Sequence, residues 1–217
     1  MKGRPVTRTL IGINALFFVA MVLTGVSPFS PSPQDLLRWG GSIGELSLGF
    51  QPWRLLVSNY LHVGIIHIGF NMWCLWNLGM IAERIFAPKT YVFVYTACGL
   101  AGSLASVWWH PYAVGVGASG AIFGLAGALI AALYLGALPI APEVIKGTLR
   151  SLVSFAGYNL LFGAIVPGID NFAHIGGFLM GLAIGAALAK RKRGVFYGAA
   201  IALSAWFGVL RYLTGPR

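Results

Sequence analysis

Seven apolar runs, each long enough or nearly long enough to cross a lipid bilayer, dominate this sequence of 217 residues. A bilayer core takes about 20 helical residues, so a single run of this kind already indicates a membrane helix. Only 9% of the residues are charged, whereas a soluble domain carries about 25%. The pattern predicts an all-α, polytopic membrane helix bundle. The runs lie near residues 9–26, 58–82, 90–110, 115–136, 147–166, 171–189 and 195–213.

The net charge of +10 reflects membrane topology, because the basic residues lie at the ends of the apolar runs and form no basic face. We therefore expect no nucleic-acid partner. Lysine and arginine are enriched in cytoplasmic loops, and their clusters at 2–8, 84–89, 146–150 and 190–193 fall on one side of the bundle. This predicts a cytoplasmic amino terminus and an external carboxyl terminus. The first run is alternatively a signal peptide, but its length and the lack of a clear cleavage site favour a retained anchor.

The first outer loop, about residues 27–57, is long, rich in proline and glycine, and amphipathic, with tryptophans that suit the membrane interface. Cys74 and Cys98 lie inside apolar runs and are expected to be packing residues. We expect a six-helix core over residues 1–194, followed by an additional carboxyl-terminal transmembrane helix and tail over 195–217.

Polar side chains within the apolar runs are few, and they cluster in runs two, four and six. An unpaired polar group in hydrocarbon costs several kcal/mol, so such residues are functional candidates. The predicted topology brings all three runs into the membrane from the outer side, with the polar residues near the start of each run. The residues are His62, His67 and Asn71 in run two, Ser119 in run four, and Asn171 and His174 in run six.

Ser119 and His174 are a candidate nucleophile and general base. A serine hydroxyl attacks effectively only when a base takes its proton, and an imidazole within about 3 Å does this. Glycines at four-residue spacing predict that runs four and six approach closely. They are Gly120 and Gly124 beside Ser119, and Gly177, Gly181 and Gly185 on the face of His174.

An oxyanion intermediate would need hydrogen-bond donors near Ser119. The sequence offers His67, the Asn71 amide and the Ser119 backbone N–H. Asp170 is an alternative third member that would orient His174, as in a triad.

Other polar residues have plainer interpretations. We expect a structural role for His62, an interface position for His110 and a boundary ion pair for Glu83-Arg84. The spacing of His62 and His67 is wrong for zinc ligands on one helix face, and no acid lies nearby. We therefore expect no metal and no organic cofactor.

In these features the chain resembles the rhomboid intramembrane serine proteases over about residues 9–189. G-x-S-G alone is a weak motif, shared by many hydrolases, but all the elements in order on the expected helices are specific. They are Trp53-Arg54, His62-x4-His67-x3-Asn71, Trp76-x2-Gly79-x3-Glu83, Gly117-x-Ser119-Gly120 and Ala173-His174-x-Gly176-Gly177.

The resemblance implies a Ser119–His174 dyad without an acidic third member. It also implies an oxyanion site at His67, Asn71 and the Ser119 N–H, with structural roles for His62 and Glu83. Phe123 stands where some members have a tyrosine that stacks on the dyad histidine, so stacking is kept while a hydroxyl contact is lost. Residues expected to support the site are Gly117, Gly120, Phe123 and Asn171.

The resemblance further implies single-pass membrane proteins as substrates, cut within or beside their transmembrane helix in the lipid bilayer. The expected location is a prokaryotic-type cell membrane, with the active site opening to the outer side. Two alternatives come from other classes of protein. One is a catalytically inactive rhomboid-like protein that binds membrane clients. The other is a transporter, which would need broken helices and charged residues at the midplane that this sequence lacks.

Overall fold

The computed structural model describes residues 5–136 and 139–190, and helices form almost all the regular structure there. The fold is therefore all-α, as predicted. β pairing within this part of the chain is limited to one antiparallel bridge between Ser42 and Gly115. The helices are α1 (Pro5–Leu23), α2 (Pro33–Trp39), α3 (Gly44–Leu48), α4 (Arg54–Val57), α5 (Ile65–Ile85), α6 (Pro88–Trp109), α7 (Ser119–Leu135), α8 (Pro142–Ile165) and α9 (Asn171–Ala189).

Six of the predicted apolar runs coincide with the long helices α1 and α5–α9. By length and composition, α1, α5, α6 and α9 are able to cross a membrane, and α7 is a shorter apolar helix. Run two begins later than predicted. A 3₁₀ turn occupies Ser58–Tyr60, and α5 starts only after Gly64, whose φ of +130° favours glycine. The predicted seventh helix and the boundary at residue 194 lie outside the described residues.

Helix α7 is the centre of the bundle, and most of its residues are buried. α6 and α9 pack against it. A Cβ atom on Gly177 or Gly181 of α9 would overlap the carbonyl oxygen of Gly120 or Gly124 of α7. The two helix backbones are therefore in direct contact, which only glycine permits.

Glu83, at the end of α5, binds the first turn of α1. Its Oε1 accepts hydrogen bonds from the backbone N–H and the hydroxyl of Thr7, at 2.7 and 2.9 Å. The predicted Glu83-Arg84 ion pair is not among the ion pairs of the described residues, because adjacent residues on a helix do not face each other. The carboxylate instead satisfies a first-turn N–H that has no acceptor within its own helix.

The first outer loop contains α2, α3 and α4, which are held together by Arg54. The guanidinium donates to the carbonyl oxygens of Leu37 and Gly41, at 2.7 and 3.0 Å, and to Oε1 of Gln51 at 2.6 Å. Burial lowers the pKa of Arg54, but its ordinary value is so high that it stays charged. This loop therefore has a fixed conformation built around one cation.

The same loop fixes the chain segment that leads into α7. Ser42 and Gly115 exchange backbone hydrogen bonds of 2.9 and 2.8 Å, and the N–H of Gly117 donates to the carbonyl of Ser58 at 2.9 Å. The segment that precedes Ser119 is therefore held at two points, at Ser42 and at Ser58.

Candidate active site

Ser119 is the first residue of α7. Backbone N–H groups in the first turn of a helix have no intrahelical acceptor, and they lie at the positive end of the helix dipole. The N–H of Ser119 is therefore available to a developing negative charge. Gly117, two residues earlier, has a φ of +131°, which a side chain would strain.

His174 lies in the first turn of α9 and packs against the face of α7 that carries Ser119. Its ring stacks on Phe123, with centroids 4.2 Å apart and an interplanar angle of 8°. Phe123 follows Ser119 by four residues, so these two side chains share a face of α7. Stacking thus brings the imidazole beside the turn that begins with Ser119.

Asp170 caps α9 and does not orient the imidazole. Its Oδ1 accepts from the N–H groups of Phe172 and Ala173, at 3.0 and 3.1 Å. Nδ1 of His174 is buried without a hydrogen-bond partner among the described residues. The geometry therefore provides no Asp170–His174 hydrogen bond of the kind a triad uses.

His67 and Ser119 meet around Gly117. A Cβ atom on Gly117 would lie 3.1 Å from Nε2 of His67 and 3.8 Å from Oγ of Ser119. Nδ1 of His67 accepts a long hydrogen bond of 3.4 Å from the N–H of Val63. A neutral ring that accepts at Nδ1 carries its proton on Nε2, so His67 presents a donor to the space beside Ser119.

Asn71 lies one turn after His67 on α5 and is 3% exposed. Its amide nitrogen donates to the carbonyl of His67 at 2.9 Å. This bond uses one of the two N–H groups of the amide, and the other remains available as a donor.

One cavity of about 850 Å³ has four of these side chains in its wall, those of Ser119, His174, His67 and Asn71. A volume of this size is typical of ligand-binding pockets. The sequence prediction that runs two, four and six bring Ser119, His174, His67 and Asn71 together is consistent with this geometry.

The predicted supporting residues have separate positions. Gly120 lies where α6, α7 and α9 meet, because a Cβ there would be 3.2 Å from the carbonyl oxygen of Ala173 and 3.4 Å from Cα of Gly102. Asn171 is not part of the cavity wall. Its amide donates to the carbonyl of Leu160 at 2.9 Å and so joins α9 to α8.

Two further histidines lie near the cavity and have different surroundings. His62 is fully buried, with its ring edge-on to that of His67 at 5.1 Å, which suits the structural role expected for it. His110, expected at the interface, forms part of the cavity wall and packs edge-on against Phe172 at 5.2 Å. Its side chain is exposed at the end of α6, and the interface position stays a prediction.

Asn159 of α8 also lies in the cavity wall, although it is not among the predicted site residues. The available signal was a carboxamide in the apolar second half of run five. The predicted cluster comprised runs two, four and six, and run five enters the membrane from the opposite side.

Comparison with known proteins gives consistent matches. Residues 49–191 match the profile of the Rhomboid domain. The chain is 36% identical over 196 residues to rhomboid protease GluP of Bacillus subtilis, which covers 90% of this chain and 37% of GluP. It is 30% identical over 200 residues to rhomboid protease AarA of Providencia stuartii, covering 82% of this chain and 70% of AarA.

A plant protein gives a similar result. The chain is 36% identical over 162 residues to RHOMBOID-like protein 4 of Arabidopsis thaliana, covering 74% of this chain and 40% of that protein. The chain thus spans well under two thirds of the length of several relatives. These matches bear on the domain that it shares with them.

Proposed function

This chain belongs to the rhomboid family of integral membrane proteins, and from that premise we propose that it is an intramembrane serine endopeptidase. Its proposed substrates are single-pass membrane proteins, cut within or beside their transmembrane helix. Ser119 is the proposed nucleophile and His174 the proposed general base. The proposal needs neither a metal nor an organic cofactor.

In the first step, Oγ of Ser119 attacks the carbonyl carbon of the scissile peptide bond while His174 takes the hydroxyl proton. A tetrahedral intermediate forms, with negative charge on the former carbonyl oxygen. His174 then gives its proton to the leaving nitrogen, the C–N bond breaks, and an ester to Ser119 remains. Water attacks this ester with His174 again as base, and the carboxylic product and the serine hydroxyl are released.

The negative oxygen is proposed to bind three donors: Nε2–H of His67, the free N–H of Asn71 and the backbone N–H of Ser119. Donors fixed in advance stabilise the transition state without reorganisation. His67 suits this task because its Nδ1 already accepts from Val63, which leaves the proton on the nitrogen near Gly117.

The observation that carries the proposal is the stack of His174 on Phe123, one helical turn after Ser119. It sets an imidazole beside a hydroxyl at a helix start, in a cavity that His67 and Asn71 share. The proposed orientation has the amino terminus in the cytoplasm of a prokaryotic-type cell, with this cavity open to the outer side. The proposed domain organisation keeps the core within residues 1–194.

A fluorophosphonate probe tests the dyad. We expect it to label the wild-type protein, and we expect Ser119→Ala and His174→Ala each to abolish both labelling and cleavage of a single-pass membrane substrate. Ser106→Ala is the matched control, because Ser106 lies in the same cavity wall, and labelling should persist.

Each alternative has its own outcome. Full activity in either dyad variant would refute the proposed mechanism. A folded wild-type protein that binds membrane clients but is neither labelled nor active would instead be the inactive client-binding relative.

A further inference from the structure

Asn159 is the polar side chain that α8 contributes to the cavity, where its neighbours from the same helix are Phe155 and Phe162. Spacings of four and three residues put these three side chains on one helix face. A carboxamide between two phenylalanines is costly in apolar surroundings, and asparagine is a poor helix former. Leucine would serve a purely structural purpose better at this position.

The amide of Asn159 is only partly used by the protein. Its nitrogen donates to the carbonyl of Phe155 at 2.8 Å, which is the hydrogen bond that the described residues give this side chain. A carboxamide has a second N–H and an oxygen with two lone pairs. Both of these remain for a molecule within the cavity.

Asn159 is linked to the proposed dyad through two successive ring contacts. Phe155, one turn before Asn159, lies 5.5 Å from Phe123 between ring centroids, and Phe123 stacks on His174. One turn of helix advances by about 5.4 Å. The free amide groups therefore lie about one turn beyond Phe155, whose ring contacts Phe123, in the same cavity wall.

We propose that Asn159 is a substrate-binding residue that hydrogen-bonds the peptide backbone of a membrane segment when that segment is extended in the cavity. The inference rests on the proposed function and adds a determinant of substrate choice. A peptide group offers one acceptor and one donor, which match the free N–H and oxygen of the carboxamide. In an intact helix these backbone groups are satisfied internally, whereas in an opened segment they lack partners in apolar surroundings. Asn159 thus favours segments whose helix opens.

Binding of two labelled transmembrane peptides tests this without catalysis. The full-length Ser119→Ala protein in nanodiscs is titrated with a leucine-alanine peptide and with the same peptide carrying a central Gly-Gly pair, which weakens the helix. Neither peptide core has a polar side chain, so an effect of Asn159 must involve the backbone. We expect Asn159→Leu to raise the Kd of the Gly-Gly peptide about three- to tenfold, as for one lost hydrogen bond, and to leave the other peptide within twofold.

Asn77→Leu is the matched control. Asn77 makes the same kind of bond, from its amide nitrogen to the carbonyl of Trp73 at 2.8 Å, but it is exposed on α5 and absent from the cavity wall. It should leave the affinity for both peptides unchanged. The melting temperature of Asn159→Leu should equal or exceed that of its parent.

Three results would overturn the inference: unchanged affinity for the Gly-Gly peptide, equal weakening of both peptides, or no binding of the Gly-Gly peptide to the parent. The proposed protease function fails in a different experiment, the fluorophosphonate labelling of wild-type protein. If fluorophosphonate labelling requires Ser119 but the affinity for the Gly-Gly peptide does not depend on Asn159, only this inference is refuted. Selective binding through Asn159 in a chain that is never labelled would remove only the proteolysis.

Discussion

The helix pair α7–α9 and the helix α8 form opposite kinds of wall around the same cavity. Between α7 and α9, a Cβ on Gly181 would overlap the backbone of Gly124. A Cβ on Gly157 of α8 would meet no atom within 4 Å beyond the backbone of its own helix. The buried side chains of α8 are Leu152 and Ala156. Ser119 and His174 thus lie on helices whose backbones touch, and Asn159 lies on a helix with few buried contacts.

We call the α7–α9 pair the tight wall and α8 the loose wall, and the two suit different tasks. A nucleophile and its base need positions fixed to within a fraction of an ångström to react efficiently. A wall that admits a membrane segment has to move, and regions with few buried apolar contacts open at the lowest free-energy cost. We therefore expect substitutions in the α7–α9 contact to abolish the chemistry and substitutions in α8 to alter substrate handling.

The largest effect is expected from Gly181→Ala. The added methyl group meets backbone atoms, which do not change rotamer, so the helices must separate. We expect a loss of about 3 kcal/mol in the free energy of unfolding, at the upper end for overpacking, and loss of fluorophosphonate labelling. Thermal denaturation in detergent measures the first effect and gel fluorescence the second. A variant as stable as wild type would show that the glycine contact is not what fixes the dyad.

Asn71→Ala should have the next largest effect. This variant tests whether α5, which lies outside the α7–α9 pair, takes part in the chemistry. Removing one oxyanion donor typically costs about 100-fold in kcat. Because Asn71 would act on the transition state, KM should change less than twofold. Steady-state kinetics on a membrane substrate separates the two constants. A raised KM with unchanged kcat would assign Asn71 to substrate binding.

Phe123 joins the two walls, because it contacts His174 on one side and Phe155 on the other. Phe123→Ala should lower kcat about fivefold, which corresponds to the roughly 1 kcal/mol of an aromatic contact. Phe123→Tyr keeps the stack and should retain nearly full activity. Cleavage assays on both variants test this. Equal losses in the two variants would mean that the stack is not the relevant contact.

The tight wall was largely readable from the sequence, because its determinants are local and repetitive. The four-residue spacing of Gly177 and Gly181 predicts a close helix contact, and polar residues in apolar runs stand out. The start of α5 was placed too early, since a hydropathy pattern does not register that Gly64 turns the chain with a positive φ. Helices α2–α4 were missed because each has only four to seven residues and depends on Arg54 for its position.

Features that depend on contacts between distant residues were less predictable. Asp170 was a candidate partner of His174 by spacing alone, yet it caps α9 because the first-turn N–H groups need an acceptor. Thr7 and Glu83 lie 76 residues apart, and nothing local indicates their bond. Asn159 and His110 enter the cavity wall only through the packing of α8 and the turn after α6. The available signal was a polar residue within or at the end of an apolar run. Attention to runs that enter the membrane from the outer side left runs three and five out of the predicted cluster.

The smallest effect is expected from Gly157→Ala, the counterpart of Gly181→Ala on α8. The methyl group meets open space, and alanine is favoured over glycine in a helix by up to about 1 kcal/mol. The melting temperature in detergent should therefore stay equal or rise slightly, with fluorophosphonate labelling unchanged. If α8 has to flex to admit a substrate, the stiffer helix should cut a membrane substrate about twofold more slowly while a small probe reacts at the wild-type rate. A loss of stability comparable to that of Gly181→Ala would mean that α8 is packed as tightly as the α7–α9 pair. The division between a tight wall and a loose wall would then no longer hold.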